Sequence, residues 1–174
     1  VMFEIVNKKE TYFLAWTTTP WTLTSNLALA VGEDIVYVEL QDKQSGKIYI
    51  LAKDRIKNYF KEEDSFTIIK ELTGKQLEGV TYDPILPYFK DNVSSGAFRV
   101  LVEDFVTTED GTGIVHMAPA FGEVDFYACQ RERMDIACPV DNNGNFTDEV
   151  KEYAGKFVKD ADKEIIQRLK KEGK

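Results

Sequence analysis

The amino-acid sequence predicts a β-rich α+β domain, in which a closed or strongly curved sheet has helices around it. Short runs rich in aliphatic, aromatic and β-branched residues recur along the chain, bounded by glycine, proline, asparagine or aspartate. Helical spacing of apolar residues is confined to a few stretches, at 53–61, 123–134 and 162–171. The 174 residues, 43% hydrophobic and 12% aromatic, suit a single domain over 1–174 with a sizeable core.

Residues 1–6 and 11–17 read as strands joined by the polar turn Asn7-Lys8-Lys9-Glu10. The second is aromatic and apolar up to Trp16, as a buried strand is. Pro20 cannot donate to a sheet ladder, so that strand is expected to break into a loop there. Runs at 27–31, 35–40 and 48–51, separated by Gly32-Glu33-Asp34 and the polar 41–46, are expected to form a β-meander. Ile56, Tyr59 and Phe60 give 53–61 the apolar face of a short helix. Strands follow at 66–69, 98–102 and 114–117. Gly74-Lys75 is not a phosphate-binding loop, because Ile69 stands where such a loop needs its first glycine. Gly111-Thr112-Gly113 is a turn into the strand 114–117, which Pro119 ends. The helical run from Glu123 puts Asp125 in a first turn, where unpaired N–H groups and the helix dipole favour an anion. Residues 138–147 read as loop, and Ile165, Ile166 and Leu169 form the apolar face of a last helix.

The net charge of −8 excludes a protein that grips nucleic acid along its length, so any RNA contact is expected to be small and local. One histidine and two cysteines without a Cys-x-x-Cys pattern are too few ligands for a zinc site, and no metal or cofactor is expected. Cys129 and Cys138 read as buried thiols. The Asn-x-Ser/Thr triplets at Asn92 and Asn145 are incidental in a cytoplasmic protein, the expected location. No apolar run has the length of a membrane span, and no membrane partner is expected. The chain opens directly on a strand-like segment and reads as a piece of a longer protein.

Two stretches carry chemistry. The first is Trp16-Thr17-Thr18-Thr19-Pro20-Trp21-Thr22-Leu23-Thr24-Ser25-Asn26. Its consecutive threonines stand where a strand breaks, and each hydroxyl both donates and accepts on a side chain with few rotamers. That suits a preorganised polar wall, and equally an ordinary strand end. The second runs from Asp110 to Asp125 and includes Gly113-Ile114-Val115-His116, Ala118-Pro119, Gly122 and Asp125. Taken alone, His116 fits a satisfied core histidine, Trp21 a core aromatic and Asp125 a first-turn acid. A Ser-His-Asp triad or a Cys-His pair would have to use His116, and neither cysteine lies in a nucleophile motif. Hydrolysis by a positioned water, with polar groups orienting the substrate, is the chemistry left.

Together the two stretches resemble the editing domain of isoleucyl-tRNA synthetase, the connective polypeptide insertion of a class I enzyme in the isoleucyl/valyl/leucyl group. Pro20-Trp21 and His116 favour the isoleucyl branch, and the resemblance runs on through Leu77-Glu78-Gly79, Tyr82 and Ala154 to Val158. Thr24 and Val124 depart from it, where proline and an acidic residue are usual. The resemblance implies a β-barrel core with peripheral helices. It implies post-transfer editing, the hydrolysis of valyl-tRNA(Ile) made in error by a parent ATP-dependent isoleucine–tRNA ligase, with valyl-adenylate as a second candidate substrate. The partners implied are the 3′ aminoacylated end of isoleucine tRNA and the rest of the synthetase chain. Asp125 would pair with the substrate ammonium. Thr17, Thr18 and Thr19 would hydrogen-bond the ester, the ribose and the water, with Thr18 and Thr19 ahead of Thr17. Trp21 and His116 would wall the side-chain pocket, and Asn26 would brace the loop or touch the substrate. The alternatives are an editing domain of a valyl or leucyl enzyme, a free-standing deacylase, and a noncatalytic β-barrel that binds a small ligand or an RNA end.

Overall fold

The computed structural model describes residues 1–93 and 96–174, so the triplet at Asn92 ends outside the described residues. The chain divides into two compact units. Unit 1 comprises Val1–Thr17, Ala28–Asp83 and Phe98–His116, and unit 2 comprises Thr18–Leu27, Pro84–Ala97 and Met117–Lys174.

Unit 1 holds the sheets. Its strands are β1 (Met2–Glu4), β2 (Thr11–Leu14), β3 (Ala28–Val31), β4 (Val36–Asp42), β5 (Ile48–Ala52), β6 (Phe66–Thr73) and β7 (Arg99–Val102). The last, β8 (Val115–Met117), ends on the first residue of a unit 2 stretch. Two short helices, α1 (Ile56–Tyr59) and α2 (Gly74–Leu77), follow β5 and β6. The strands form two sheets, ordered β1-β2-β5-β4-β6 and β7-β3-β8, with isolated bridges such as Trp16↔Val115 and Thr81↔Arg99 outside them. No closed barrel is seen among the described strands. β6 ends the larger sheet as a solvent-facing edge, with Ile68 and Ile69 exposed beside the charged Lys70 and Glu71.

The β1–β2 hairpin forms as expected, pairing Met2 with Leu14, and β4 pairs antiparallel with β5. The meander does not extend to β3, which pairs parallel with β7 from Ala28↔Arg99 to Val31↔Val102. The reason lies in Leu27-Ala28-Leu29-Ala30-Val31. Every one of these side chains is fully buried, so the strand has no face to give to water and needs neighbours on both sides. Between β3 and β4 the chain changes sheets at Gly32. The Tyr37 hydroxyl pins that crossing, accepting from the Gly32 N–H at 3.0 Å and donating to the Gly113 carbonyl at 2.7 Å. Period-two alternation turns Phe13 and Ala15 inward and leaves Trp16 exposed, against the expectation of a buried aromatic.

Unit 2 holds α3 (Glu123–Arg131), α4 (Val158–Glu172) and 3₁₀ turns at Pro20–Ser25 and Lys151–Tyr153. α4 starts before the expected 162, because Val158 and Ala161 continue the buried stripe of Ile165 and Leu169. Gly173, left-handed with φ 67°, closes it. Cys129 is buried, but Cys138, in the loop before Pro139, is exposed; both are free thiols. No helix among the described residues is long and apolar enough to cross a membrane.

Candidate functional site

The threonine run does not enter a loop at Pro20. It enters a 3₁₀ turn, with Pro20 in the first turn, where its fixed φ suits a helix and its missing N–H costs nothing. The turn's carbonyls are met by its own hydroxyls: Thr22 Oγ1 donates to the Thr19 carbonyl at 2.8 Å and Thr24 Oγ1 to the Trp21 carbonyl at 2.9 Å. Thr19 Oγ1 lies 3.3 Å from Thr22 Oγ1. At the other end, the Trp21 N–H donates to Asp162 Oδ1 of α4 at 2.8 Å. Thr18 is exposed, and Thr17 and Thr19 are half-buried.

Within unit 2 the turn and the second motif are joined. The Leu27 N–H donates to the Met117 carbonyl at 3.1 Å, and Asn26 Nδ2 donates to the same carbonyl at 3.4 Å. The Trp21 and Phe121 rings meet edge to face with centroids 4.7 Å apart. Asn26 is therefore buried and braces the turn against Met117. Thr17 and His116 belong to unit 1, and their next residues in the chain, Thr18 and Met117, belong to unit 2.

Asp125 falls in the first turn of α3, as the sequence predicts, but it is half-buried rather than exposed. An acid at this position commonly reaches back to the N–H of the N-cap residue. Asp125 instead accepts the Ala118 N–H on Oδ2 at 2.8 Å. Burial pushes its carboxyl above the usual aspartate value, and the Ala118 bond offsets part of that rise. Among the described residues no lysine or arginine pairs with it. The His116 imidazole, buried on β8, is pushed down to about 4 by desolvation and is neutral at pH 7. It offers bulk and hydrogen bonding there, not charge.

Among the described residues no group of three His, Cys, Asp or Glu side chains could hold a metal ion. A cavity of about 770 Å³ in unit 1, lined by Lys53, Lys57, Phe60 and Phe66 among others, contains none of the sequence-predicted site residues. Sequence reasoning missed Asp162. No local pattern marks it, since its partner Trp21 lies 141 positions away.

No protein-family model matches the chain. It is 56% identical over 174 residues to the isoleucine–tRNA ligase of Protochlamydia amoebophila, a match covering all of this chain and 17% of that protein. It is 53% identical over 174 residues to the isoleucine–tRNA ligase of Bdellovibrio bacteriovorus, covering 99% of this chain and 16% of that one. The chain thus spans about one sixth of the length of the curated relatives it matches. Among solved structures, the crystal structure titled GlLeuRS-CP1 aligns over 99% of this chain and 95% of its own, with a TM-score of 0.75 and 15% identity. The Plasmodium knowlesi cytosolic leucyl-tRNA synthetase editing domain aligns over 99% and 92%, with a TM-score of 0.71 and 11% identity. Sequence likeness along the whole chain to isoleucine–tRNA ligases, with the fold of leucyl-tRNA synthetase editing domains, makes this chain an editing domain of the isoleucyl-tRNA synthetase family.

Proposed function

We propose that this domain hydrolyses valine esterified to the terminal adenosine of isoleucine tRNA, with valyl-adenylate as a second substrate. The observation that carries the reading is the environment of Asp125: half-buried, held by one backbone N–H and, among the described residues, without a protein cation. A desolvated carboxylate of this kind gains most from a cation that arrives with the substrate, and an aminoacyl ester brings one in its α-ammonium. Pairing there fixes the ester carbonyl relative to the attacking water. The water oxygen bonds to the carbonyl carbon, the ester bond to the ribose oxygen breaks, and that oxygen takes up a proton, releasing valine and tRNA. Thr18 and Thr19, with Thr17, hydrogen-bond the ester, the ribose and the water. Neutral His116 and the Trp21 ring supply bulk against the larger side chain.

The need for such a site follows from size. Isoleucine and valine differ by one methylene, worth about 1–3 kcal/mol to an apolar pocket, a magnitude established on isoleucyl enzymes themselves. A second site that admits only the smaller product supplies the missing discrimination. The partners are the 3′ aminoacylated end of the tRNA and the rest of the synthetase chain. The test is a panel of aminoacyl-tRNAs offered to a full-length ligase carrying this domain. Valyl-tRNA(Ile) is expected to be cleaved and isoleucyl-tRNA(Ile) spared. Preferential cleavage of a mischarged valine or leucine tRNA would overturn valyl-tRNA(Ile) as the substrate. Binding of valyl-tRNA(Ile) without cleavage would leave a noncatalytic module.

A further inference from the structure

Gly122 is the N-cap residue of α3, with an extended backbone at φ −129° and ψ 126° that any residue can adopt. The backbone therefore does not call for glycine. Capping does not call for it either, since Ser, Thr, Asn and Asp cap as well or better through a side-chain oxygen. What a side chain would meet is Asp125. A β-carbon on residue 122 would lie 2.9 Å from Asp125 Cγ and Oδ2 and 3.3 Å from Oδ1. Non-bonded carbon atoms rest at about 3.5–4.0 Å, so the carboxyl group would have to move. Its present place is set by the Ala118 N–H, 2.8 Å from Oδ2. The carboxylate thus bonds to Ala118 in space that only a residue without a side chain leaves open.

We infer that Gly122 is a positioning residue for the deacylation proposed above, its missing β-carbon being what seats the Asp125 carboxylate on the Ala118 N–H. The inference rests on the proposed role of Asp125. It implies that the glycine serves the site and not the helix.

The test compares Gly122→Ala with Gly122→Ser in the full-length ligase. Both add the β-carbon, but serine restores a side-chain cap. Both variants are expected to fold, Gly122→Ser with a melting temperature at or above that of Gly122→Ala. Both should lose about 100-fold in kcat on valyl-tRNA(Ile), the scale of a misplacement near 1 Å. In both, the Asp125 carboxyl titration, followed by NMR on ¹³C-labelled aspartate, should return toward the ordinary aspartate value as the group swings to solvent. Recovery of deacylation in Gly122→Ser alone would make the glycine only a cap and overturn the inference. Unaltered Asp125 titration in both variants, or unfolding of both, would overturn it too. If Asp125→Ala keeps full deacylation while Gly122→Ser still shifts the Asp125 titration, the proposed role of Asp125 fails and the positioning stands.

Discussion

Asp162 and Asp125 each accept a single backbone N–H at 2.8 Å, and the resemblance between them ends there. Asp162 caps the 3₁₀ turn that carries the second half of the first motif, and Lys159 stands 3.7 Å from its carboxylate. Its charge is spent on a helix start and a neighbouring cation, both of which stabilise the fold. Asp125 stands in the first turn of its own helix, yet it serves the Ala118 N–H, has no cation among the described residues, and is held above the usual aspartate range by burial. Two acids with the same first bond thus differ in what else the protein supplies them. Where the protein supplies a cation, the acid acts on the fold. Where it supplies only desolvation, the acid keeps its capacity for a cation from outside.

Acid titration gives the largest expected effect and sharpens that contrast. The folded-state value of His116 is depressed to about 4 from 6.5, so its stabilisation is present above pH 6.5 and is lost as pH falls toward 4. The loss is on the order of 3 kcal/mol. Asp125 has the opposite sign: its folded-state value is raised, so its contribution is present below the ordinary aspartate value and is lost as pH rises through the raised one. In denaturation measured from pH 7 to 4, His116→Gln is expected to flatten the acid loss, and Asp125→Asn to leave that loss in place while removing the opposing slope. Deacylation should fall as acid protonates Asp125, at a pH above the usual aspartate value. An acid limb unchanged in Asp125→Asn would detach that carboxylate from the chemistry.

The sieve comes next. Exclusion of isoleucine has to be steric, because the larger side chain gains about 0.8 kcal/mol from burying its extra methylene. Forcing that methylene into a packed site costs about 1–3 kcal/mol. Trp21→Ala or His116→Ala in the full-length ligase is expected to open cleavage of isoleucyl-tRNA(Ile), while valyl-tRNA(Ile) cleavage falls only modestly. If both variants spare the correct product and still cleave valyl-tRNA(Ile), neither residue is the wall. Smaller still, Asp162→Ala should cost about 1 kcal/mol of stability through the lost cap. That is measured as a lower denaturation midpoint, with deacylation reduced less than by any change at Asp125. Loss of deacylation with no loss of stability would reverse the roles of the two acids.

The sequence made local features legible and left long-range ones hidden. The hairpin of β1 and β2 and the position of Asp125 in a helix start depend on neighbouring residues, and they stand where local chemistry puts them. The partner of β3 depends on which surfaces remain to cover an all-apolar strand, and no turn between 31 and 36 reveals that. How the described strands divide between two sheets depends on pairings far apart in the chain. The 3₁₀ turn after Thr19 was hidden because its stabilising acid, Asp162, belongs to the last helix. The burial of Asp125 and the exposure of Cys138 likewise follow from tertiary packing, to which residue type is a weak guide. Of the motif residues, Asn26 and Trp21 show structural partners in unit 2 that spacing alone could not reveal.

Whether Asp125 acts on the substrate and not on the fold is read out by single-turnover deacylation of valyl-tRNA(Ile) with Asp125→Asn in the full-length ligase, alongside its thermal midpoint. Asparagine keeps the shape and an oxygen to accept the Ala118 N–H, and it removes only the charge. The rate is expected to fall at least about 100-fold, the scale on which misplaced reacting groups lose catalysis, with a midpoint equal to or above that of the parent. A midpoint lowered in step with the rate, or a rate left intact, would contradict action on the substrate.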